Sequence, residues 1–317
     1  MHKLLAACLL LAGCSSPESP EQTVTLAAQG LYTGELSGDA SLGVVGSINH
    51  GASLWRTSDG ERLYNWSHQP GEFATLVASA FSADGTHAVT TDPRTLVVWD
   101  TRSGEALAYW TTPGAVLDVD LVPDGSQVFM GLEDHSAVLF DAQAGDHLHT
   151  FLHAGVVGTV AVSADGLWAL TGSDDETAVL WDLRTGTKVH TLAHDNPVRV
   201  VALSHSGRYL FSAAQGQALA LWDGASGSRL HTIYERNPGL TSARFSADER
   251  HLLLGYVNRT IELWDVQTAT RLQRWTAKAR NPWHPTGAAI LAVSFSDHPR
   301  TYYALAGDGR LVELRDS

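Results

Sequence analysis

The chain has 317 residues, with 34 acidic side chains against 21 lysines and arginines, and a formal net charge of −13. This balance argues against nucleic-acid binding, which needs a basic stripe, and against direct adsorption to anionic lipid headgroups. The two cysteines, Cys8 and Cys14, both lie near the N-terminus, so we expect the rest of the chain to be stabilised by packing without disulfides.

The chain begins with the pattern of an export signal. Met1–Lys3 is a short basic start, and Leu4–Leu11 is mostly apolar but much shorter than a membrane-spanning helix, which needs ~20 apolar residues. The sequence Leu-Ala-Gly-Cys that ends at Cys14 resembles a bacterial lipobox. The resemblance implies that residues 1–13 are a lipoprotein signal peptide and that Cys14 is lipidated. The alternative is a plain secretory signal with an incidental cysteine.

Residues 14–22 are polar and contain proline, as expected of a flexible tether between a lipid anchor and a folded domain. Several acyl chains on one cysteine would give stable anchoring. Because Ser15 and not an aspartate follows the cysteine, the lipobox resemblance favours the outer membrane. We therefore expect a lipid-anchored, periplasm-facing envelope protein.

Residues 23–317 contain a repeat. A short apolar strand ends seven times in a pair like tryptophan-aspartate, and successive pairs are 44, 41, 41, 41, 42 and 51 residues apart. The pairs are Trp55-Arg56, Trp99-Asp100, Phe140-Asp141, Trp181-Asp182, Trp222-Asp223, Trp264-Asp265 and Arg315-Asp316. A period of ~40–45 residues with this ending is typical of one four-stranded propeller blade per repeat. A single blade cannot bury both of its faces, so the pattern predicts an all-β ring of stacked blades.

A second spacing supports this register, because a serine that ends the first strand stands at one fixed distance before the tryptophan in four repeats. These four pairs are Ser37 and Trp55, Ser163 and Trp181, Ser204 and Trp222, and Ser246 and Trp264. The distance is one residue shorter from Ser82 to Trp99 and one residue longer from Ser296 to Arg315. Asp-Gly dipeptides at 84–85, 124–125 and 165–166 predict tight turns. We expect the one-residue differences to lie in such turns, where changes in length are tolerated.

These motifs resemble the WD-repeat (WD40) propeller family over nearly all of the chain after residue 22, most closely between Val160 and Asp182. The resemblance implies one domain of seven four-stranded antiparallel blades. The seventh repeat provides only three strands, and Thr23–Ala27 has the pattern of the fourth-repeat strand Val189–Ala193. We therefore expect Thr23–Ala28 to complete the last blade and close the ring, which removes two exposed sheet edges.

The WD-repeat resemblance also implies a structural role for polar residues inside the blades. In the fourth repeat it implies a hydrogen-bonded network, which would make the blade more rigid. Its members are His153, Asp175, Trp181 and either Thr171 or Ser173. In the fifth repeat Gly216 replaces the aspartate, which would leave His194 without that partner. We therefore expect the complete network in the fourth repeat alone.

The sequence contains no nucleophile elbow, phosphate-binding loop or common zinc-ligand spacing. His147, His149 and His153 could place two metal ligands on one face of a strand. A histidine recurs, however, at one position of the repeat, in His149, His190 and His231, which favours an architectural role. The sequence therefore predicts a non-enzymatic protein that needs no cofactor or metal.

Function is expected on the loops around the ring, because the WD-repeat resemblance places partners on one face. That face bears the turns between second and third strands, and an insertion over 278–285 enlarges one of its connecting loops. Tryptophan and arginine are enriched in binding hot spots, although Trp283 could instead pack its own loop down. The candidate partner-binding residues are Arg94, Asp174, Asn258, Arg259, Arg280, Trp283 and His284.

Three functions remain open at this stage. The first is a monomeric scaffold for other envelope proteins. The second is an envelope or outer-membrane assembly factor, by architectural analogy with a known propeller lipoprotein of that kind. The third, less favoured, is a cofactor- or ligand-binding propeller.

Overall fold

The computed structural model describes residues 22–28, 30–47, 51–68, 75–233, 239–278, 280 and 288–316. These segments form 28 β-strands and contain no α-helix. None of them therefore provides a helix that could cross a membrane.

The strands form seven separate four-stranded sheets, which are the blades. Blade 1 contains β2 (Leu31–Leu36), β3 (Leu42–Ser47), β4 (Gly51–Arg56) and β5 (Glu61–Trp66). Blade 2 contains β6 (Ala78–Phe81), β7 (His87–Thr91), β8 (Thr95–Asp100) and β9 (Ala106–Thr111). Blade 3 contains β10 (Val116–Leu121), β11 (Gln127–Leu132), β12 (Ser136–Asp141) and β13 (His147–Leu152).

Blade 4 contains β14 (Val157–Val162), β15 (Trp168–Ser173), β16 (Thr177–Asp182) and β17 (Thr187–Ala193). Blade 5 contains β18 (Val198–Leu203), β19 (Tyr209–Ala214), β20 (Leu219–Asp223) and β21 (Arg229–Ile233). Blade 6 contains β22 (Leu240–Phe245), β23 (His251–Tyr256), β24 (Thr260–Asp265) and β25 (Thr270–Thr276). Blade 7 contains β26 (Ile290–Phe295), β27 (Thr301–Ala306), β28 (Arg310–Arg315) and the N-terminal β1 (Gln22–Thr25).

All strand pairs are antiparallel, so the predicted fold of seven four-stranded blades is confirmed. The first strand of each blade lines a central channel, and the fourth lies at the circumference. The apolar core is divided into seven clusters, each between two neighbouring blades. Stability thus depends on contacts between neighbours around a closed ring.

The N-terminal segment closes the ring as predicted. β1 pairs with β28 over Gln22–Thr25, slightly earlier in the chain than the expected strand. Leu26 follows β1 and is only 2% exposed, because it lies in the cluster between blades 7 and 1. The N–H groups of Leu26 and Ala27 both donate to the Gly309 carbonyl, at 2.9 and 3.1 Å. Leu26 therefore adds an apolar contact to the backbone pairing of this latch.

The position assigned to the last tryptophan-aspartate-like pair was wrong by one residue. Tyr302 pairs with Leu314 in blade 7, as Ala169 pairs with Trp181 in blade 4. Leu314 therefore occupies the tryptophan position, and it stands as far after Ser296 as Trp181 stands after Ser163. Arg315-Asp316 matches the motif only by its aspartate, whereas strand pairing shows that the equivalent pair is Leu314-Arg315.

Candidate functional site

Blade 4 contains a continuous hydrogen-bonded chain that begins at the tryptophan. Trp181 Nε1 donates to Thr171 Oγ1 over 2.8 Å, and Thr171 Oγ1 lies 2.7 Å from His153 Nε2. His153 Nδ1 lies 2.9 Å from Asp175 Oδ2. Because the carboxylate can only accept, His153 Nδ1 carries the proton, and Nε2 accepts from the Thr171 hydroxyl. Thr171, not Ser173, is the connecting residue.

Burial keeps the histidine of this network neutral. Burial lowers the pKa of His153, against the opposing hydrogen bond and charge of Asp175. Burial acts to raise the pKa of Asp175, but hydrogen bonds from Thr177, the Ala154 N–H and His153 lower it to about 2. An ionised aspartate therefore holds a neutral imidazole in one tautomer at physiological pH.

Blade 2 contains a second network of this kind, so the expectation that blade 4 alone is complete was wrong. Trp99 Nε1 donates to Thr90 Oγ1 over 2.8 Å, and Thr90 Oγ1 lies 2.9 Å from His68 Nε2. His68 Nδ1 lies 2.7 Å from Thr95 Oγ1, which donates to Asp92 Oδ2 over 2.6 Å. His68 stands farther before its tryptophan in the sequence than the histidines of blades 4 and 5 stand before theirs. A search for a histidine at the distance before the tryptophan that blades 4 and 5 share therefore misses His68.

Blade 5 keeps most of the network without an aspartate. His194 Nε2 lies 2.9 Å from Ser212 Oγ, which accepts from Trp222 Nε1 over 2.8 Å. The expected aspartate is absent, and the Gln217 side chain of the corresponding turn instead donates by Nε2 to Asp195 Oδ2 over 3.1 Å. Burial and the charge of Arg229 lower the pKa of His194 to about 4, against the opposing effects of Gln217 and of the charge of Asp195.

Blades 1 and 6 use an acceptor two residues before the tryptophan. Trp55 donates to Ser53 Oγ over 2.8 Å, and Trp264 donates to Glu262 Oε2 over 3.1 Å. Residues two apart on a strand share a face. The polar residue two positions before the tryptophan could therefore have been recognised from the sequence as its hydrogen-bond acceptor. The Glu262 side chain is 1% exposed and pairs with Arg271 Nη1 at 3.0 Å, which compensates the buried charge.

The recurring histidines contact the next blade. His149 packs so closely on Gly186 that a Cβ added there would lie 2.6 Å from its Nδ1. His190 and His231 hydrogen-bond by Nε2 to the carbonyls of Ala225 and Gln267, at 3.1 and 3.0 Å. These contacts support the architectural interpretation. Over the described part of the chain, no group of three or more His, Cys, Asp and Glu side chains is arranged to hold a metal ion.

The candidate residues on the turns between second and third strands are spread over alternate blades. Arg94 lies between β7 and β8, Asp174 between β15 and β16, and Asn258 and Arg259 between β23 and β24. The ring does not bring these three turns together, because at least one intact blade separates each from the next. Asp174 is already paired, with its Oδ1 2.7 Å from Arg199 Nη1 of blade 5.

The insertion between blades 6 and 7 lies mostly outside the described residues, as do Trp283, His284 and Cys14. Arg280 is described and exposed. Its Nη1 donates to the Ala28 carbonyl over 2.7 Å and to the Asp308 carbonyl over 3.3 Å. Arg280 therefore ties the insertion to the end of the latch, a role that was not predicted.

Two family models match separate parts of the chain. One, described as outer membrane protein assembly factor BamB, matches residues 41–164, and one described as WD domain, G-beta repeat matches residues 186–223. No curated protein matches the chain. The WD-repeat match covers the outer strand of blade 4 and the first three strands of blade 5. This match and the ring of seven four-stranded blades are consistent with a WD40-type β-propeller.

Proposed function

We propose that the protein is a non-enzymatic, monomeric scaffold, anchored to the bacterial envelope through Cys14, that binds other envelope proteins. The proposed binding surface is the loop face, defined as the face that bears the turns between second and third strands and the loops between blades. The main support is that the recurring polar residues of the blades are used in hydrogen bonds within or between blades. The irregular side chains on the loops are thus the ones available to a partner.

A role in outer-membrane assembly is the second candidate, and one observation favours it. The model described as outer membrane protein assembly factor BamB matches residues 41–164, which span the last three strands of blade 1, blades 2 and 3, and the first strand of blade 4. This candidate specifies the process that the proposed scaffold would serve.

The proposed anchor is tested by changing each cysteine separately. Residues 1–13 are proposed as the signal peptide and 14–22 as the tether, so Cys14→Ser should release the protein from membranes or leave an unprocessed precursor. Cys8→Ser is the matched control, because Cys8 would be removed with the signal peptide. Mass spectrometry and membrane fractionation give the readout. An unchanged mass and membrane fraction for Cys14→Ser would refute lipidation at this residue.

The proposed loop-face contact is tested at Trp283. A hot-spot tryptophan typically contributes ~2 kcal/mol or more to binding. Trp283→Ala should therefore weaken capture of an envelope partner at least about tenfold, with nearly the same melting temperature. Tyr109→Ala is the matched control, since Tyr109 is 42% exposed on the outer strand of blade 2, away from the loop face. A lowered melting temperature with full capture would instead mean that Trp283 packs its own loop.

A further inference from the structure

Blade 3 exposes two leucines on its edge at the loop face. Leu117 is the extra residue that a register shift marks at the start of β10, and Leu152 is the last residue of β13. Their exposed fractions are 39% and 69%, and Leu152 is the most exposed large apolar residue of the described part of the chain. Two apolar side chains therefore face solvent at the inner and outer ends of one blade edge.

The packing of the blades does not require these leucines. Strand pairing shows which residues of blades 2, 4, 6 and 7 have the position of Leu152, and they are Thr111, Ala193, Thr276 and Thr25. At the position of Leu117, blades 4, 5 and 6 have Gly158, Arg199 and Thr241, and blades 1 and 7 have Tyr32 and Leu291. Blade 3 thus combines an apolar inner end with an apolar outer end.

Two acidic side chains lie between the leucines, on the turn from β11 to β12. Glu133 and Asp134 are both exposed. Asp134 Oδ1 accepts from the N–H and the hydroxyl of Ser136, at 3.1 and 2.6 Å, which fixes this carboxylate at the edge of the blade. No described lysine, arginine or histidine forms an ion pair with either acid. The second oxygen of Asp134 and the carboxylate of Glu133 are therefore open to a donor from outside the blade.

The corresponding acids of blade 4 are already paired. Asp174 Oδ1 lies 2.7 Å from Arg199 Nη1, and Asp175 Oδ2 lies 2.9 Å from His153 Nδ1. Before blade 3, Thr112 takes the place of that histidine, and its hydroxyl donates to the backbone carbonyl two residues later, over 2.8 Å. The edge of blade 3 thus keeps acceptors that blade 4 uses within the ring.

The same sector of the ring carries most of the negative charge. Residues 75–152, which form blades 2 and 3, contain eleven aspartates and glutamates against two arginines and no lysine, a formal charge of −9 out of the −13 of the chain. Neither of these arginines, Arg94 and Arg102, forms an ion pair with a described acid. Charge complementarity therefore favours a basic partner at this edge and disfavours an acidic one.

The spacing of these groups fits an extended chain. Neighbouring strands of a sheet lie ~4.8 Å apart, so the three steps from β10 to β13 span on the order of 14 Å, with the turn that carries the two acids near the middle. An extended segment advances ~3.4 Å per residue and turns every second side chain to the same face. Residues i, i+2 and i+4 of such a segment therefore cover about the same length.

We propose that the loop-face edge of blade 3 binds an extended, basic segment of a partner protein. A lysine or arginine of the segment would contact Glu133 and Asp134, and an apolar side chain on each side of it would pack on Leu117 and Leu152. This inference rests on the proposed binding of proteins at the loop face, and it specifies the chemistry of the bound segment. Burial of the leucines favours binding, and the central ion pair selects a basic segment.

The test uses the purified full chain and the capped peptide Ala-Leu-Thr-Arg-Thr-Leu-Ala, whose leucines and arginine share one face when it is extended. Binding is followed by ligand-observed NMR in a titration. A contact of this size should have a dissociation constant on the order of 1 mM or slightly below. Replacing the arginine of the peptide by glutamate, or both of its leucines by serine, should weaken binding at least about tenfold.

Two variants of the protein test the apolar and the charged parts separately. Leu152→Ser should weaken binding about fivefold, and Glu133→Lys should weaken it at least about tenfold. Both side chains are exposed, so both variants should keep the melting temperature of the wild type. The matched controls are Leu272→Ser, at a leucine 50% exposed on the outer strand of blade 6, and Asp146→Lys, at an exposed acid on the opposite face of blade 3. Both controls should bind the peptide nearly as well as the wild type.

Three results would overturn the inference. They are the absence of binding by the arginine peptide, equal binding by the wild type and both test variants, and equal or tighter binding of the glutamate peptide. The scaffold function would not fail with it, because Arg94 and Asn258 lie on other blades of the loop face. Crosslinks from those two positions to envelope proteins in cells, together with no peptide binding, would refute the blade-3 site alone.

Discussion

Replacing Thr171 by valine tests the blade-4 network, because it removes one hydroxyl and changes the shape of the side chain very little. Thr171 is fully buried and lies between the Trp181 indole and the His153 imidazole, at 2.8 and 2.7 Å. Valine would leave a donor on Trp181 and an acceptor on His153 without partners. Each orphaned buried group costs ~1–3 kcal/mol. We therefore expect the free energy of unfolding to fall by about 2–4 kcal/mol.

The assay is urea unfolding followed by tryptophan fluorescence, with hydrogen exchange of the Trp181 indole N–H as a local readout. The matched control is Thr191→Val, on the exposed outer strand of the same blade, which should change the free energy by less than about 0.5 kcal/mol. Thr171→Val should also speed exchange at the Trp181 indole. Equal unfolding midpoints for the two variants, with unchanged indole exchange, would refute the assigned role of the hydroxyl.

Three further predictions concern the latch and the partly buried His194 of blade 5. Leu26→Ala should lower the free energy of unfolding by about 2–5 kcal/mol, whereas Thr23→Ala on the exposed edge of β1 should change it little; equal melting curves would contradict the role of Leu26 in closure. Arg280→Ala should speed amide exchange at Leu26 and Ala27, because it frees the end of the latch; unchanged exchange would mean that the guanidinium contacts do not hold it. The pKa of His194 is about 4 in the folded protein and is close to 6.5 when unfolded, so its contribution to stability is complete above pH 6.5 and is lost as the pH falls towards 4. The advantage of the wild type over His194→Gln in free energy of unfolding should therefore shrink by up to about 1.4 kcal/mol per pH unit across that window, and a constant difference would contradict the shift.

The blade architecture was predictable because it depends on local patterns. Alternating apolar residues, Asp-Gly turns and a fixed distance between Ser163 and Trp181 recur along the chain, and each repeat forms its own sheet. The latch was predictable for the same reason, since Thr23–Ala27 has the pattern of an outer strand. The turn geometry agrees with this, because Gly85 and Gly166 both have a φ of +70°.

The remaining polar contacts depend on how the blades meet, which no local pattern encodes. His68 lies at an unusual distance from Trp99, so its network was missed. The bonds from Asp118 to Val160 and from Arg280 to Ala28 cross between blades, and they exist only because the ring brings separate segments together. Strand pairing, and not residue identity, likewise placed Leu314 at the last tryptophan position.

Site-specific photocrosslinking in living cells tests the proposed scaffold function most directly. A photoreactive residue replaces Arg94 or Asn258, which are exposed on the loop face, or Gln143, which is exposed on the opposite face. We expect both loop-face positions to crosslink to envelope proteins, and Gln143 to form no such crosslink. Crosslinks from Gln143 alone would contradict the proposed binding face, and no crosslink to another protein from any of the three positions would contradict the scaffold function itself.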